Sequence, residues 1–515
     1  MAEHEIAHDE KFEIICPYCF NQAEGGNGEP FPHTAVEFRA ETIFESEKSI
    51  EREFGNRTNI EMMTDKYEKE KALEKYEKAK RFLVGMSDKY QRFWAKFDGI
   101  TTEQEDESCP KMKKVWQLPI IGLKKGATRI VADQDGFVTH AIDDFGTPTY
   151  RRVCPHCHNP LPLGYGKTPV KYISIIGVMS SGKTVYISQL LRNLGQCIAK
   201  SGLSAFCKSS HETDFIKLNN VCKGVPLPPG TSKNSFSQPM FYDIVQSNGV
   251  SKRQETIVLY DIAGETCVNN QAIINVANFV KHSDGIILLI DPKSLGFITS
   301  DVNNQGDAVV APSVLDTLHN TLECADDEKC RVPLAISISK SDSCFDILPA
   351  LARDQLEYVG KNASGRPTFD GRSYNQLSPE LASLVQKNDA DLFQKLCDNY
   401  INFNFFAVSA MGCGCDSNNA PVDDPRVIRI EEPILWLFKQ WGFIDSNAKV
   451  LRPEKIAHAQ DRVYVRKFFG RPRLERKDVE FSEYEEDPIR TEPRVLKGNK
   501  WESYDEYRYL DCEEE

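Results

Sequence analysis

The chain has 515 residues, enough for two or three domains, and its composition, 40% hydrophobic and 27% charged, is that of an ordinary globular protein. Its formal net charge of −13 disfavours a general nucleic-acid-binding surface, because such domains usually carry an extensive basic region. The best basic stretch, residues 465–477, is short and is most simply explained as a solvated charged face.

The N-terminal sequence is acidic and lacks the apolar segment of a signal peptide. The longest apolar run, Gly285–Ile290, is too short to cross a bilayer. The sequence therefore predicts a cytoplasmic protein with no membrane contact. Its sixteen cysteines would then lie in a reducing compartment, where metal binding or simple burial is favoured over disulfides.

Two cysteine pairs with Cys-Pro-x-Cys spacing frame the N-terminal third of the chain. Cys16 and Cys19 follow a short predicted strand, and Cys154 and Cys157 come much later. Between them lies a charged segment, about residues 59–97, whose Glu and Lys recur at helical i,i+4 spacing. Two such pairs supply four thiolates for a tetrahedral zinc ion, so the sequence predicts a zinc ribbon with a long helical insertion.

A redox site is the competing interpretation, because Cys-Pro-Tyr-Cys also occurs in glutaredoxin-like sites. Such a site opens a helix, whereas Gly and Asn follow Cys19. Unliganded, buried cysteines are the other alternative. The nearby His33, His156 and His158 are expected to be bystanders, since four cysteines already complete the zinc coordination shell.

From residue 168 to residue 445 predicted strands alternate with helices, the pattern of a parallel sheet covered on both faces. The sequence thus predicts an α/β domain with a mostly parallel sheet. The predicted organisation is a zinc-ribbon module over residues 1–167, the α/β domain over 168–445 and a charged tail over 446–515. The tail has too little apolar content for a core of its own, and its order is left open.

The segment Gly177–Thr184, "GVMSSGKT", fits the P-loop pattern G-x-x-x-x-G-K-[ST] and lies between a predicted strand and a helix. Backbone N–H groups of such a loop wrap a phosphate, and the helix dipole adds to the attraction. Lys183 would reach the β- and γ-phosphates, and the Thr184 hydroxyl would bind Mg²⁺. The residues predicted to hold the phosphates are Gly177, Ser180, Ser181, Gly182, Lys183 and Thr184.

Three further short motifs each end a predicted strand. In "DIAG", Asp261 would hold Mg²⁺ and the N–H of Gly264 would meet the γ-phosphate. In "SKSD", with Lys340, the carboxylate of Asp342 would accept from the N1 and the amine of guanine, a donor pair that adenine lacks. In "SA", Ser409–Ala410, a backbone N–H would donate to guanine O6. If Asp342 does not reach the base, an ATPase remains the alternative.

In the order and strand placement of these four motifs, residues 171–443 resemble the Ras-like branch of the TRAFAC-class P-loop GTPases. The resemblance implies a switch threonine, for which Thr231 is the candidate, and it would bind Mg²⁺ together with Thr184 and Asp261. Two positions depart from the pattern. Ser339 replaces an Asn that ties the base-binding loop to the P-loop, and Glu265 replaces the Gln that orients the attacking water. Guanine affinity and intrinsic hydrolysis are therefore expected to be weaker.

Cysteine pairs ahead of a GTPase domain also resemble the bacterial Double-GTPase families, and that resemblance implies work in bacterial conflict or defence systems beside partner proteins. The sequence thus predicts a GTP-hydrolysing switch, slow without a partner, that uses GTP or GDP, Mg²⁺ and Zn²⁺ and acts on a protein partner. A nucleotide-bound scaffold with little hydrolysis is one alternative, and a zinc-ribbon nucleic-acid-binding protein is another. The sequence does not indicate the oligomeric state.

Overall fold

The computed structural model describes 18 segments of the chain with defined backbone. These are residues 12–23, 27–85, 88–95, 118–178, 181–208, 211–228, 238–247, 252–262, 278–298, 311–322, 329–353, 360–361, 367–447, 457–465, 473–481, 494–497, 500–503 and 507–509. Among the described residues, no helix combines the length and the apolar character that crossing a membrane requires.

The N-terminal module is built from short antiparallel strands. They are β1 Glu13–Ile14, β2 Phe31–Pro32, β3 Glu37–Arg39, β4 Ile120–Ile121, β5 Ala127–Ala132, β6 Val138–Asp143, β7 Pro148–Thr149 and β8 Arg152–Val153. The strands form three small sheets, ordered β1-β2, β4-β3-β8 and β5-β6-β7. Because β3 lies between β4 and β8, residues before and after the insertion are joined in one sheet.

The insertion is helical, as predicted. Its helices are α1 Glu47–Phe54, α2 Arg57–Glu61, α3 Lys66–Lys80 and α4 Asp88–Trp94. The helical segment starts at Glu47, earlier than the predicted residue 59. Ser46 and Ser49 form a capping box at this start. In α3 the Asp65 side chain caps the first turn, while Tyr76 is buried and Tyr67 is 71% exposed. One side of this charged helix therefore packs on the module.

The second part of the chain contains a seven-stranded sheet. Its strands, with the small β15–β16 pair that is separate from it, are β9 Val170–Gly177, β10 Leu203–Cys207, β11 Met240–Ser247, β12 Lys252–Ile262, β13 Gly285–Ile290, β14 Leu334–Ile338, β15 Gly360–Lys361, β16 Pro367–Thr368 and β17 Phe403–Ala407. The order in the sheet is β10-β11-β12-β9-β13-β14-β17. The strands β12, β9, β13, β14 and β17 are parallel to one another. Strand β11 is antiparallel to its two neighbours, β10 and β12. This arrangement confirms the predicted α/β fold class.

Helices cover the sheet. They are α5 Lys183–Ala199, α6 His211–Leu218, α7 Ala311–Thr321, α8 Gly371–Asn388, α9 Ala390–Asn399 and α10 Glu432–Gln440. All six residues of β13 are buried, as expected for a strand covered on both faces. The edge strand β10 and the helices α6, α7, α8 and α9 were not predicted from the sequence.

The strand order places a topological switch point at β9. From β9 the chain crosses to β10 at one edge and returns through β11 and β12, whereas the next strand, β13, lies on the other side of β9. In open α/β sheets, ligands bind at the carboxyl ends of the strands beside such a point. The segment Gly177–Thr184 follows β9 and therefore lies at this position.

The charged tail, whose order the sequence leaves open, contains strand structure. The strands are β18 Ala457–Val465, β19 Arg473–Phe481, β20 Arg494–Lys497, β21 Lys500–Ser503 and β22 Tyr507–Tyr509. They form an antiparallel sheet in the order β21-β20-β19-β18-β22. The longest pairing, β18 with β19, extends over nine residue pairs and provides main-chain hydrogen bonds that a low apolar content alone does not predict.

Candidate nucleotide site and metal centre

The loop between β9 and α5 requires glycine at two positions. A side chain at Gly177 would overlap Ser181 Oγ and come within 2.9 Å of Lys183 Cβ. Gly182, which caps the start of α5, has φ +74°, a left-handed conformation that glycine adopts without strain. Ser181 is buried, and its N–H donates to Val178 O at 3.0 Å. The chain thus turns sharply from strand to helix, as a phosphate-binding loop does.

Lys183, on the first turn of α5, contacts a carboxylate from a neighbouring strand. Its Nζ donates to Asp261 Oδ1, near the carboxyl end of β12. The two side chains are only 7% and 9% exposed, so the ion pair is buried. The structure therefore brings together the predicted phosphate-binding lysine and the predicted magnesium-binding carboxylate. A phosphate bound in the loop would compete with Asp261 for Lys183.

The predicted base-reading residues also meet, at the carboxyl ends of β14 and β17. Ser409 Oγ donates to Asp342 Oδ1 at 2.5 Å and accepts from the N–H of Gly412 at 2.8 Å. The N–H of Ser409 donates to Ile428 O at 2.9 Å. Because that amide is already bonded, Ala410 is the better candidate for a backbone donor to the base.

Lys340 connects the base end of the site with the phosphate loop. Its Nζ pairs with Asp291 Oδ2 at 2.8 Å, and its Cε lies 3.4 Å from the position that a side chain on Gly182 would take. Asp291, which directly follows β13, was not singled out from the sequence. Its place after a fully buried strand is the signal that could have identified it.

Ser339 does not take over the role of the family's Asn. Its Oγ donates to Ile290 O at 3.1 Å, and its N–H donates to the same carbonyl at 2.9 Å. The side chain therefore joins two neighbouring strands, and among the described residues the Lys340 side chain, beside Gly182, is where the predicted base-binding loop comes near the phosphate loop.

Part of the predicted site lies outside the described residues. Ser180, Thr231, Gly264 and Glu265 belong to this group. Thr184 is described and half-buried at the second position of α5. The roles assigned to all of these residues stay predictions.

The four predicted zinc ligands converge in the N-terminal module. The Sγ atoms of Cys16, Cys19, Cys154 and Cys157 all lie within 4.8 Å of one another, and the four residues are buried. The Sγ atoms of Cys16 and Cys157 are 3.7 Å apart, and those of Cys19 and Cys154 are 3.8 Å apart. A tetrahedral zinc ion with Zn–S bonds of about 2.3 Å requires sulfur–sulfur distances of about 3.8 Å. The cluster therefore fits such an ion.

Amide groups around the cluster point toward the sulfur atoms. The N–H of Tyr18 donates to Cys16 Sγ at 3.4 Å, and the N–H of His156 donates to Cys154 Sγ at 3.3 Å. Asn159 Nδ2 donates to Cys157 Sγ at 3.2 Å, a contact that the sequence analysis missed. Such bonds stabilise negative charge on sulfur, as metal thiolates require.

Protonation of the cluster is governed by its burial. Burial raises the pKa of the Cys16 and Cys157 thiols well above the ordinary value, whereas hydrogen bonds, first from Cys154, lower the pKa of Cys19. Four enclosed thiolates repel one another, so full deprotonation requires a bound cation.

The three nearby histidines make other contacts. His158 Nε2 pairs with Glu37 Oε2 at 2.9 Å, and His33 Nδ1 accepts from the N–H of Val138 at 3.1 Å. The ring of His156 lies edge-on to Phe31. In the part of the chain that the structure describes, the four cysteines form the one group with metal-ligand geometry.

The first cysteine pair packs directly on the seven-stranded sheet. Tyr260, immediately before Asp261, donates its hydroxyl to Pro17 O at 2.7 Å. The Phe20 ring stacks on His282 with ring centroids 4.3 Å apart and meets the edge of Tyr172. Tyr260, Phe20 and Tyr172 belong to one continuous buried apolar cluster that also contains the four cysteines. The cysteine cluster and the strand that carries Asp261 therefore share a core.

Residues 171–385 match the model of a protein family described as Double-GTPase 2. This match confirms the predicted resemblance to the Double-GTPase families for that part of the chain. Together with the sheet order and the loop after β9, it shows a P-loop GTPase domain and supports guanine-nucleotide binding.

A relative from Mycolicibacterium smegmatis, named "Putative ESX-1 scaffolding and assembly protein SaeC", is 23% identical over 57% of this chain and 80% of its own. A solved GTP-binding protein from Sulfolobus solfataricus, in complex with GDP, has 15% identity and a TM-score of 0.22. The match covers 53% of each chain, so this chain spans about half of that protein. The G domain of the FeoB iron transporter from T. maritima has 14% identity and a TM-score of 0.16, over 35% of this chain and 77% of that domain.

Proposed function

We propose that the protein is a guanine-nucleotide-binding and GTP-hydrolysing molecular switch that acts on a protein partner. The observation that carries the proposal is the pairing of Asp342 with Ser409 at the carboxyl ends of β14 and β17. A phosphate loop alone is common to all P-loop nucleotide hydrolases, whereas a carboxylate at this second location selects guanine. The family match of residues 171–385 supports the same conclusion.

The phosphate end of the site is assigned to the loop after β9. Its backbone N–H groups would wrap the β-phosphate, and Lys183 would move from Asp261 to the phosphates. Asp261, so released, would hold Mg²⁺ together with Thr184 and Thr231. Bound Mg²⁺ neutralises charge that develops on the phosphates, and the chain's residues hold it in position.

The base end is assigned to Asp342 and Ala410. The Asp342 carboxylate would accept two hydrogen bonds from the N1 and exocyclic amine of guanine, and the N–H of Ala410 would donate to O6. The aliphatic part of Lys340 lies near the phosphate loop and would pack beside the base. Adenine has neither the N1 and amine donor pair of guanine nor an oxygen at position 6, so we expect ATP to bind more weakly than GTP.

Hydrolysis would depend on the segment after Asp261. The N–H of Gly264 would meet the γ-phosphate, and Glu265 would position the attacking water. A carboxylate near the γ-phosphate is repelled by it, so intrinsic turnover should be slow. An arginine supplied by an activating partner would raise the rate by roughly 10³–10⁵, as in Ras-type enzymes.

The cysteine cluster is proposed to hold a structural zinc ion. Cys16, Cys19, Cys154 and Cys157 complete a tetrahedral shell, which leaves no open position for catalysis. A reducing cytoplasm would keep these thiols available. The ribbon and the charged helices would then transmit the nucleotide state to the partner. This transmission would be possible because the first cysteine pair packs on the strand that carries Asp261.

A second candidate function is a nucleotide-bound scaffold with little hydrolysis. The relative from M. smegmatis, which is named as a putative scaffolding and assembly protein, favours this function, and Glu265 is consistent with it. The resemblance to the bacterial Double-GTPase families suggests a defence or conflict system as the setting in which either function would operate.

The decisive experiment measures binding of GTP and ATP, each with Mg²⁺, to the wild type and to Asp342→Ala. We expect the wild type to prefer GTP and Asp342→Ala to lose that preference. Asp346→Ala is the matched control, because it removes an exposed carboxylate of the same loop. Equal binding of ATP by the wild type would reduce the assignment to a P-loop nucleotide hydrolase of unknown base preference.

Single-turnover hydrolysis then separates the switch from the scaffold. A switch should hydrolyse bound GTP within one binding lifetime, at least when its partner is present, whereas a scaffold should retain it. Glu265→Gln should accelerate hydrolysis if charge repulsion at the γ-phosphate limits the rate. An unchanged rate would exclude that cause.

A further inference from the structure

After β17 the chain forms a closed loop over residues 409–428. Ser409 and Ile428 exchange two main-chain hydrogen bonds of 2.9 and 2.8 Å, which join the two ends of the loop. Further along, the N–H of Val422 donates to Gly414 O at 3.1 Å. The loop is therefore a defined hairpin-like structure that begins at the base-reading residue Ser409.

One side chain organises the tip of this loop. Asp416 Oδ1 accepts from the N–H of Asn418 at 2.8 Å and from the N–H of Ala420 at 2.9 Å. The N–H of Asp416 in turn donates to Ala420 O at 2.9 Å. These bonds fix the direction of the carbonyl groups in the stretch 419–421.

Two of those carbonyls hold a distant segment of the chain, residues 219–228, which follows α6. Pro421 O accepts from the N–H of Gly224 at 3.0 Å, and Asn419 O accepts from the N–H of Leu227 at 2.9 Å. Val225 is 47% exposed and Val422 is 52% exposed, whereas Val221 is buried, and Lys223 of the segment pairs with Asp423 of the loop at 3.4 Å. The two main-chain hydrogen bonds, whose geometry Asp416 imposes, therefore act together with limited apolar packing and one exposed ion pair.

The same segment is also anchored on the phosphate side of the site. Ser188 Oγ, on α5 five residues after Lys183, donates to Asn219 O at 2.7 Å. The segment 219–228 thus extends from the phosphate-loop helix to the tip of the base-side loop. Neither contact is part of the phosphate or base assignments above.

We propose that the loop 409–428 couples base recognition to the segment 219–228, with Asp416 as the positioning residue. Ser409 Oγ bonds both Asp342 and the N–H of Gly412, so a guanine bound at Asp342 would immobilise the beginning of the loop. The main-chain hydrogen bonds within the loop would then restrict motion at its tip as well. The carbonyls of Asn419 and Pro421 would extend this restriction to the segment 219–228. The inference rests on the proposed guanine site.

Hydrogen–deuterium exchange of the full-length protein tests the coupling, with GDP and ADP as probes and binding of each measured separately. We expect GDP to slow exchange in the peptide that contains the amides of Gly224 and Leu227 by roughly two- to tenfold, the effect of one or two stabilised hydrogen bonds. Saturating ADP should give less protection. GDP that binds without changing this exchange overturns the coupling alone, whereas a protein that binds no nucleotide overturns the proposed function as well.

Variants locate the effect in Asp416. Asp416→Ala should still bind GDP but lose the GDP-dependent protection at 219–228, and Asp416→Asn, which keeps an acceptor oxygen, should restore it. Asp424→Ala is the matched control, because it removes an exposed carboxylate of the same loop. Full protection in Asp416→Ala overturns the assignment. If that variant fails to fold, the GDP and ADP comparison on the wild type still decides the coupling.

Discussion

The cysteine cluster and the phosphate-loop region differ in how buried charge is compensated. In the cluster, the Sγ atoms of four buried cysteines lie within 4.8 Å of one another. In the phosphate-loop region, the buried cation Lys183 is paired with the buried carboxylate of Asp261. The first arrangement needs an external cation to be charged, whereas the second is neutralised from within.

This difference predicts different responses to ligand removal. A metal site whose donors repel one another contributes to folding only when the cation is bound. A nucleotide site with its own ion pair keeps its fold, because the lysine and the carboxylate compensate each other. Loss of metal should therefore lower stability, whereas loss of nucleotide should leave the fold intact as long as the ion pair is present.

Cys16→Ser should have the largest effect. Structural zinc sites provide about 10–16 kcal/mol of apparent binding free energy in zinc-finger peptides at pH 7, and the variant removes one of four ligands. We expect elemental analysis to find one zinc per wild-type chain and much less in the variant, with a large loss of thermal stability. Cys415→Ser, at an exposed cysteine, is the control and should keep the metal. Wild-type protein that is folded and free of metal would contradict the zinc assignment.

Phe20→Ala tests whether the two regions depend on each other. The ring is buried against His282 and Tyr172, and deletion of a buried phenylalanine costs about 3–5 kcal/mol. Denaturant unfolding should show this loss, and GDP affinity should fall with it if the shared core supports β12. Phe206→Ala, at a ring that is 57% exposed, should change neither quantity. Loss of stability without any change in GDP affinity would separate the two regions.

Short motifs made much of both sites predictable. The cysteine pairs and the P-loop have fixed local spacing, because backbone geometry near a metal or a phosphate permits few alternatives. Buried strands such as β13 were also recognisable, since an unbroken apolar run has one common explanation. The antiparallel edge strand β10 gave no such signal, because it is half exposed and mixed in composition.

Contacts between distant residues could not be predicted in the same way. The hydrogen bond from Tyr260 to Pro17 joins positions 243 residues apart, and the ion pair of Lys340 with Asp291 joins residues 49 apart. Neither pair has a characteristic spacing, since each depends on how whole elements pack. Asn159 near Cys157 is an intermediate case, because an amide side chain two positions after a candidate metal-binding cysteine can be expected to donate a hydrogen bond to its sulfur.

Lys183→Ala tests the nucleotide side of the comparison. A hydrogen bond to a charged group contributes about 1.5–3 kcal/mol, so we expect GDP affinity to fall roughly ten- to hundredfold. Fluorescence titration with labelled GDP measures the change. The variant removes the cation from the buried ion pair with Asp261, so its stability should fall as well, and circular dichroism checks that it is folded at the titration temperature. Lys171→Ala removes a lysine from β9 whose partner is Asp284, away from the loop, and is the matched control. An unchanged affinity would show that Lys183 stays on Asp261 when nucleotide binds.

Tyr260→Phe should have the smallest effect and gives the finest test of the contact between the regions. The substitution keeps the ring, which stacks on Phe279 with centroids 4.1 Å apart, and removes only the hydroxyl that donates to Pro17 O. A buried carbonyl that loses its donor costs about 1–3 kcal/mol, so the midpoint of unfolding should shift modestly.

Zinc content is the informative second measurement for Tyr260→Phe, because Pro17 lies between the ligands Cys16 and Cys19. If the hydroxyl helps to hold the first cysteine pair in place, a chelator should remove zinc faster from Tyr260→Phe than from the wild type. Tyr67→Phe, which removes the hydroxyl of an exposed tyrosine, should release zinc at the wild-type rate. Equal rates in all three proteins would mean that the cysteine pair is fixed by its own turn, and that the tyrosine only completes the shared core.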